Sequence, residues 1–243
     1  MKKSIEIIKG SNQKKILMDI TFPKKSNNKL IIFSHGFKGF KDWGCFNLIS
    51  KIFAENGFTF LKFNFSHNGT TIADPLNFND LEAFGNNNFS IELNDLSLVL
   101  DWSVQNLNIS DITLLGHSRG GGVSMLKSGE DKRVKRVISW SSPSSFLNRA
   151  STDRVEIWKQ KGVSFVYNGR TKQNMPLYIQ LYNDCEQNKE RLDIQNSVSN
   201  LTISQLVIHG DADPSVDVKE AYDLHRWNPR SELFIVKDAD HVF

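Results

Sequence analysis

Eight short apolar runs punctuate the chain: Ile5 to Ile8, Ile16 to Phe22, Leu30 to Phe33, Phe58 to Phe65, Ile112 to Leu115, Val137 to Trp140, Gln205 to Ile208 and Leu233 to Val236. From the third onward most are separated by segments of helical length and period. Near-continuous apolar runs suit strands buried on both faces, and their alternation with helices is the pattern of a mainly parallel sheet covered on both sides. Only Lys9 to Lys15 separates the first two runs, too little for a helical crossover, so these two are expected to pair as an antiparallel hairpin. The clearest helices are predicted over Trp43 to Asn56, Ser90 to Leu107, Ser118 to Ser128 and Val216 to Trp227, with Gly57 and the Asn108 region as stops. With 243 residues, 39% of them hydrophobic, the chain can bury one sizeable core, and a single α/β domain spanning residues 1–243 is expected.

Between the sixth and seventh runs the rhythm breaks. Residues 144–200 carry Phe146, Trp158, Phe165, Tyr167, Tyr178 and Tyr182 among many polar groups. A cap inserted over a site is the preferred reading, with two longer crossover helices as the alternative.

Charge and cysteine content narrow the function. Thirty basic and twenty-seven acidic residues leave a formal charge of +3, far from the clustered positive field that nucleic-acid binding needs. The pairs Lys14-Lys15 and Lys24-Lys25 read as solvated turns. Met1-Lys-Lys-Ser-Ile-Glu lacks the apolar run of a signal peptide, and no later stretch has the length of a membrane span. Cys45 and Cys185 suggest neither a disulfide framework nor metal-ligand spacing. A soluble, cytoplasmic protein without metal or cofactor is expected.

The fifth run leads straight into Gly116-His-Ser-Arg-Gly120, and Val123, Met125 and Leu126 begin the helix behind it. A serine on a sharp strand-to-helix turn is lifted above the carboxyl edge of the sheet, in a strained backbone conformation that leaves no room for side chains two residues to either side. The glycines at 116 and 120 meet that demand, which makes Ser118 the candidate nucleophile. A serine hydroxyl needs a base, and the base needs a third group to orient it. On such a turn these partners are expected downstream, acid before histidine. His209-Gly-Asp-Ala-Asp213 offers Asp211 and Asp213, and Asp240-His241 offers His241. His225 lies inside a predicted helix, so His241 is the expected base. Asp213 is preferred to Asp211, which sits nearer the Gly210 turn and reads as an acid bonding local backbone.

The other histidines read as structural. His35 and His209 each precede a glycine at a strand end and are expected to be buried imidazoles bonded to loop backbone; His117 is placed beside the nucleophile by geometry alone, and His67 follows the fourth run without a named partner. The two oxyanion donors are expected to be the backbone N–H of Arg119 and, from Ser34-His-Gly-Phe-Lys-Gly-Phe-Lys-Asp-Trp43, that of Phe37. Lys38 and Lys41 on that loop read as solvated, with attraction of an acidic substrate as the alternative.

With these residues placed, the chain from Leu30 to Phe243 resembles the α/β-hydrolase superfamily, in particular small bacterial esterases related to cinnamoyl (feruloyl) esterases and dienelactone hydrolases. The resemblance implies hydrolysis of a small-molecule carboxylic ester through an acyl-enzyme, beneath a cap formed after the sixth strand. Ser118 departs from the cysteine nucleophile of dienelactone hydrolases, and from the aspartate of haloalkane dehalogenases and epoxide hydrolases. Such hydrolases usually continue past the catalytic histidine into a final helix, whereas this chain ends at Phe243. A partly uncovered apolar face around Leu233 and Ile235, with self-association, is therefore expected. An acyl-peptide or aminopeptidase-like hydrolase using the same residues, and a non-catalytic ligand-binding protein, are the alternatives.

Overall fold

A computed structural model describes residues 1–147 and 151–243. Among the described residues ten strands form two sheets. The large one contains β1 (Lys3–Lys9), β2 (Lys15–Thr21), β3 (Lys29–Ser34), β4 (Thr59–Asn64), β5 (Asp111–His117), β6 (Val134–Trp140), β9 (Ser204–Gly210) and β10 (Glu232–Val236), in the spatial order β1-β2-β4-β3-β5-β6-β9-β10. These are the eight apolar runs. β1 and β2 pair antiparallel, as the short link between them requires, and β2 also lies antiparallel to β4; every other pair is parallel.

The helices are α1 (Phe46–Glu55), α2 (Leu81–Gly85), α3 (Phe89–Leu107), α4 (Arg119–Glu130), α5 (Thr152–Lys161), α6 (Gln180–Gln187), α7 (Ile194–Ser199) and α8 (Lys219–Trp227). β3 shows how both sheet faces are filled. Leu30 and Ile32 belong to the main core with Leu96, Val99 and Leu100 of α3 and Val123 of α4, while Ile31 and Phe33 pack with Phe46 of α1 on the opposite side. Asn88 caps α3 by accepting from the Ile91 N–H at 2.8 Å, and Asn108 ends it in the left-handed region at φ 50°.

Two helices begin three residues later than their periodicity predicts. Gly44, at φ 57°, turns the chain just before α1. Ahead of α8, the Ser215 and Val216 N–H groups are taken by Asp213 Oδ1 at 2.7 and 3.0 Å, a local turn that competes with helix.

The stretch between β6 and β9 is not a pair of long crossover helices. It holds α5, α6 and α7 around an antiparallel hairpin, β7 (Val163–Asn168) and β8 (Gln173–Tyr178), which forms a sheet of its own; residues 148–150 lie outside the described residues. At the far edge of the large sheet, Leu233 and Ile235 are half-buried against the main core, and the exposed apolar residue of β10 is Phe234, 60% exposed. Among the described residues no helix is long and apolar enough to cross a membrane.

Candidate active site

Ser118 sits between the end of β5 and the first residue of α4 with φ 53° and ψ −126°, a conformation that costs an L-residue strain. Its N–H donates to the Trp140 carbonyl at the end of β6 (2.8 Å), and its carbonyl accepts from the Gly121 N–H (2.8 Å), so the turn is held from both sides. A Cβ on residue 116 would lie 2.1 Å from the Gly120 carbonyl oxygen, and one on residue 120 would lie 2.2 Å from that of Ser34. Both contacts are with backbone, which cannot swing away, so the two glycines are sterically required. Gly36 is a third: its Cβ would stand 2.9 Å from Ser118 Cβ.

Two loops at the carboxyl edge bring Asp213 and His241 together. His241 Nδ1 lies 2.7 Å from Asp213 Oδ2, and the Asp213 side chain is fully enclosed. Burial raises the Asp213 carboxyl, but hydrogen bonds from His241, Val216 and Ser215 outweigh it and hold the group below the usual carboxylate range. Asp211 accepts from the Asp238 N–H at 2.6 Å, a bond to the loop after β10 and not to the backbone of its own turn as expected. His225 lies in α8 against Ser231 Oγ, 2.8 Å away. The His241–Asp213 pair is thus formed, whereas no hydrogen bond joins His241 to Ser118 among the described residues.

Two histidines read as structural also hold these groups. His117 Nε2 bonds the His241 backbone carbonyl at 2.9 Å, and the two rings lie 4.7 Å apart. Burial, the largest influence, pushes His117 down to about 4, so at neutral pH it is an uncharged donor. His209 Nε2 lies 2.9 Å from the Val216 carbonyl, as expected of a loop-bonded imidazole, and also 3.3 Å from Asp213 Oδ2. Nothing in the spacing of either histidine signals these contacts, which depend on how three strand ends converge. His35 takes the Phe65 N–H on Nε2 (3.3 Å) and meets the Gly36 carbonyl through Nδ1 (2.9 Å); burial pushes it to about 4 as well. His67 has a partner after all, Ser66 Oγ at 2.7 Å from its Nδ1.

The backbone N–H groups of Phe37 and Arg119 have no acceptor among the described residues. Arg119 follows Ser118 and opens α4, and Phe37 follows Gly36, whose Cβ position lies against Ser118. The loop that carries Phe37 is tied down: Lys41 is 4% exposed, not solvated, and its Nζ pairs with Asp19 at 2.6 Å and with Asp42, while Lys62, 2% exposed, pairs with the same two acids. Lys38 reaches across to the Tyr167 carbonyl on β7 at 3.2 Å. The Arg119 side chain is buried against Glu92, Nε to Oε2 at 2.8 Å.

Ser118 opens into a cavity of about 630 Å³ whose walls include Phe37, Phe89, Phe146, Trp158, Leu177 and Tyr182. Much of that wall comes from the segment between β6 and β9. Cys185 also lines it, with its thiol pushed up to about 11, chiefly by burial, and so uncharged at neutral pH.

A family model described as alpha/beta hydrolase fold matches residues 29–199. No curated protein sequence matches the chain. Among solved structures, Est1E from Butyrivibrio proteoclasticus with ferulic acid bound is similar at a TM-score of 0.76 and 18% identity, over 98% of this chain and 91% of that one. The esterase domain of a Rhodothermus marinus protein has a TM-score of 0.68 at 17% identity, over 100% of this chain and 90% of that one. An alpha-beta serine hydrolase homologue from Coxiella burnetii has a TM-score of 0.67 at 18% identity, over 100% and 91%. At these identities the likeness is one of fold.

Proposed function

The chain belongs to the alpha/beta hydrolase fold family, and on that premise we propose that it is a serine hydrolase acting on carboxylic esters, with Ser118 as nucleophile, His241 as base and Asp213 as the acid that orients it. The observation that carries the reading is the strained Ser118, kept at a strand-to-helix turn by glycines that cannot be replaced, beside two backbone donors that lack acceptors. Strain of this kind persists where the surrounding structure over-determines it, which is typical of reacting residues.

In the proposed reaction His241 takes the proton of Ser118 Oγ as that oxygen adds to the ester carbonyl. The Phe37 and Arg119 N–H groups then donate hydrogen bonds to the developing oxyanion. The alcohol leaves with the proton from His241, and water, activated by the same imidazole, releases the acid from Ser118. Asp213 keeps Nδ1 protonated and faces the imidazolium that forms, while His117 and His209 hold the base and the acid in place. Residues 144–200 serve as a cap over the acyl pocket.

Est1E binds ferulic acid, so methyl ferulate belongs in the first substrate panel beside p-nitrophenyl acetate and butyrate. Hydrolysis by the native chain is expected to fall by about 10⁴ in Ser118→Ala. An unchanged rate in that variant would remove Ser118 from the reaction.

A further inference from the structure

The Arg119 side chain is built into the wall of the Ser118 cavity, yet among the described residues it uses only one of its five N–H donors. Nε donates to Glu92 Oε2 at 2.8 Å, while Glu92 Oε1 is occupied by Asn87 Nδ2 at 2.7 Å. That second bond limits the carboxylate to a single point of contact with the arginine. Nη2 is buried and has no acceptor among the described residues, although the residue as a whole is only 8% exposed. The guanidinium lies 4.2 Å from the Phe89 ring centroid, and Phe89 stacks on Phe146 at 3.9 Å, which fixes its plane. A guanidinium fixed in this way, with a buried donor left unpaired at the cavity wall, suits a carboxylate.

The charge around the cavity points the same way. Lys159 and Lys189 are matched by Glu156 and Glu186 at 3.4 and 2.9 Å, and Glu92 balances Arg119 from behind. Arg154, which also lines the cavity, has Ser164 Oγ at 3.3 Å as its side-chain partner and no acid among the described residues. The cavity therefore carries surplus positive charge.

Building on the serine-esterase reading, we propose that Arg119 is a specificity-determining residue whose guanidinium binds a carboxylate at the far end of the acyl group. The preferred substrate is then a monoester of a dicarboxylic acid. Phe37, Phe89 and Phe146 enclose its methylenes, and the arginine takes its free acid.

Mono-p-nitrophenyl glutarate and p-nitrophenyl valerate share a five-carbon acyl chain and differ in a terminal carboxylate against a methyl. With the enzyme-free rate subtracted, the native chain is expected to favour the glutarate ester at least tenfold in kcat/KM. Arg119→Met combined with Glu92→Gln removes both charges together and leaves no orphaned carboxylate. It should erase that preference, mainly through KM, and the ratio of the two esters cancels any loss they share. Arg119→Lys, which keeps the charge but not the fork, should retain part of the preference, and it serves as the informative variant if the double one does not fold. A native chain that prefers valerate, or a preference that survives the double variant, overturns the proposal. Calorimetry of glutarate with the Ser118→Ala chain needs no turnover. If neither ester is hydrolysed but glutarate binding depends on Arg119, the carboxylate site stands and the esterase reading falls; absence of glutarate binding overturns the site itself.

Discussion

Mild acid is expected to destabilise this protein over a window set by His35 and His117. Both rings are buried at the carboxyl edge of the sheet, and burial is the main cause that brings each from an ordinary 6.5 to about 4. In the unfolded chain each takes up its proton near 6.5; in the folded chain only near 4. Between those values the unfolded state binds more protons, so stability is present above about 6.5 and is lost as the pH falls toward 4. At about 1.4 kcal/mol per pH unit, the loss across the window is about 3–4 kcal/mol for each ring and about 7 kcal/mol for both. That is comparable to the whole stability of many domains, about 5–15 kcal/mol. His67, lowered chiefly by burial, adds to the loss with the same sign. Asp42 and Asp213 are held below their ordinary range, so their contributions fade only at lower pH. Urea midpoints followed by circular dichroism at pH 7.5, 6.0, 5.0 and 4.5 are the assay. The midpoint should fall steadily with pH, and His117→Phe, which keeps an aromatic ring among Trp43, Phe46 and Trp140, should remove about half of the dependence that the two rings contribute. A midpoint flat from pH 7.5 to 4.5 would refute the reasoning.

Gly120→Ala drives a methyl against the Ser34 carbonyl and should cost about 3 kcal/mol, read as a lower thermal midpoint; an unaltered midpoint would mean that β3 yields where it is taken to be rigid. Asp213→Asn should lower ester hydrolysis by about 10³ to 10⁴ in kcat while the chain stays folded, and a loss confined to KM would argue against an orienting role. Lys62→Met leaves Asp19 and Asp42 with Lys41 as their remaining buried cation, and should destabilise by about 3 kcal/mol in denaturant titration.

The centre of the large sheet was legible because its strands there are buried on both faces: Ile31 to Phe33, Phe60 to Phe65 and Ile112 to Leu115 read as strands from apolar content alone. The β7–β8 hairpin was not, since Phe165 and Tyr167 point an exposed aromatic face outward and Pro176 interrupts the second strand. Its one local signal is the alternation of Val163, Phe165 and Tyr167. At the site, the Ser118 turn and the contact between Asp213 and His241 were legible because strand ends and turns determine where these residues stand. Other contacts that cross between elements were not. His117 on the His241 carbonyl and the one-point grip of Glu92 on Arg119 join residues 124 and 27 positions apart in the chain, and each requires the converged elements to exist first. Lys41 misled for the same reason, because the acids that bury it come from β2 as well as from its own loop.

The nucleophilic role of Ser118 is tested most directly by intact-mass spectrometry after exposure to diethyl p-nitrophenyl phosphate, which traps an activated serine as a stable phosphate ester. The expected result is a single adduct, located on Ser118 by peptide mapping and absent from the Ser118→Ala chain. A folded protein that gains no adduct, or one that gains it elsewhere and keeps it in Ser118→Ala, would contradict the assignment of Ser118 as the reacting group.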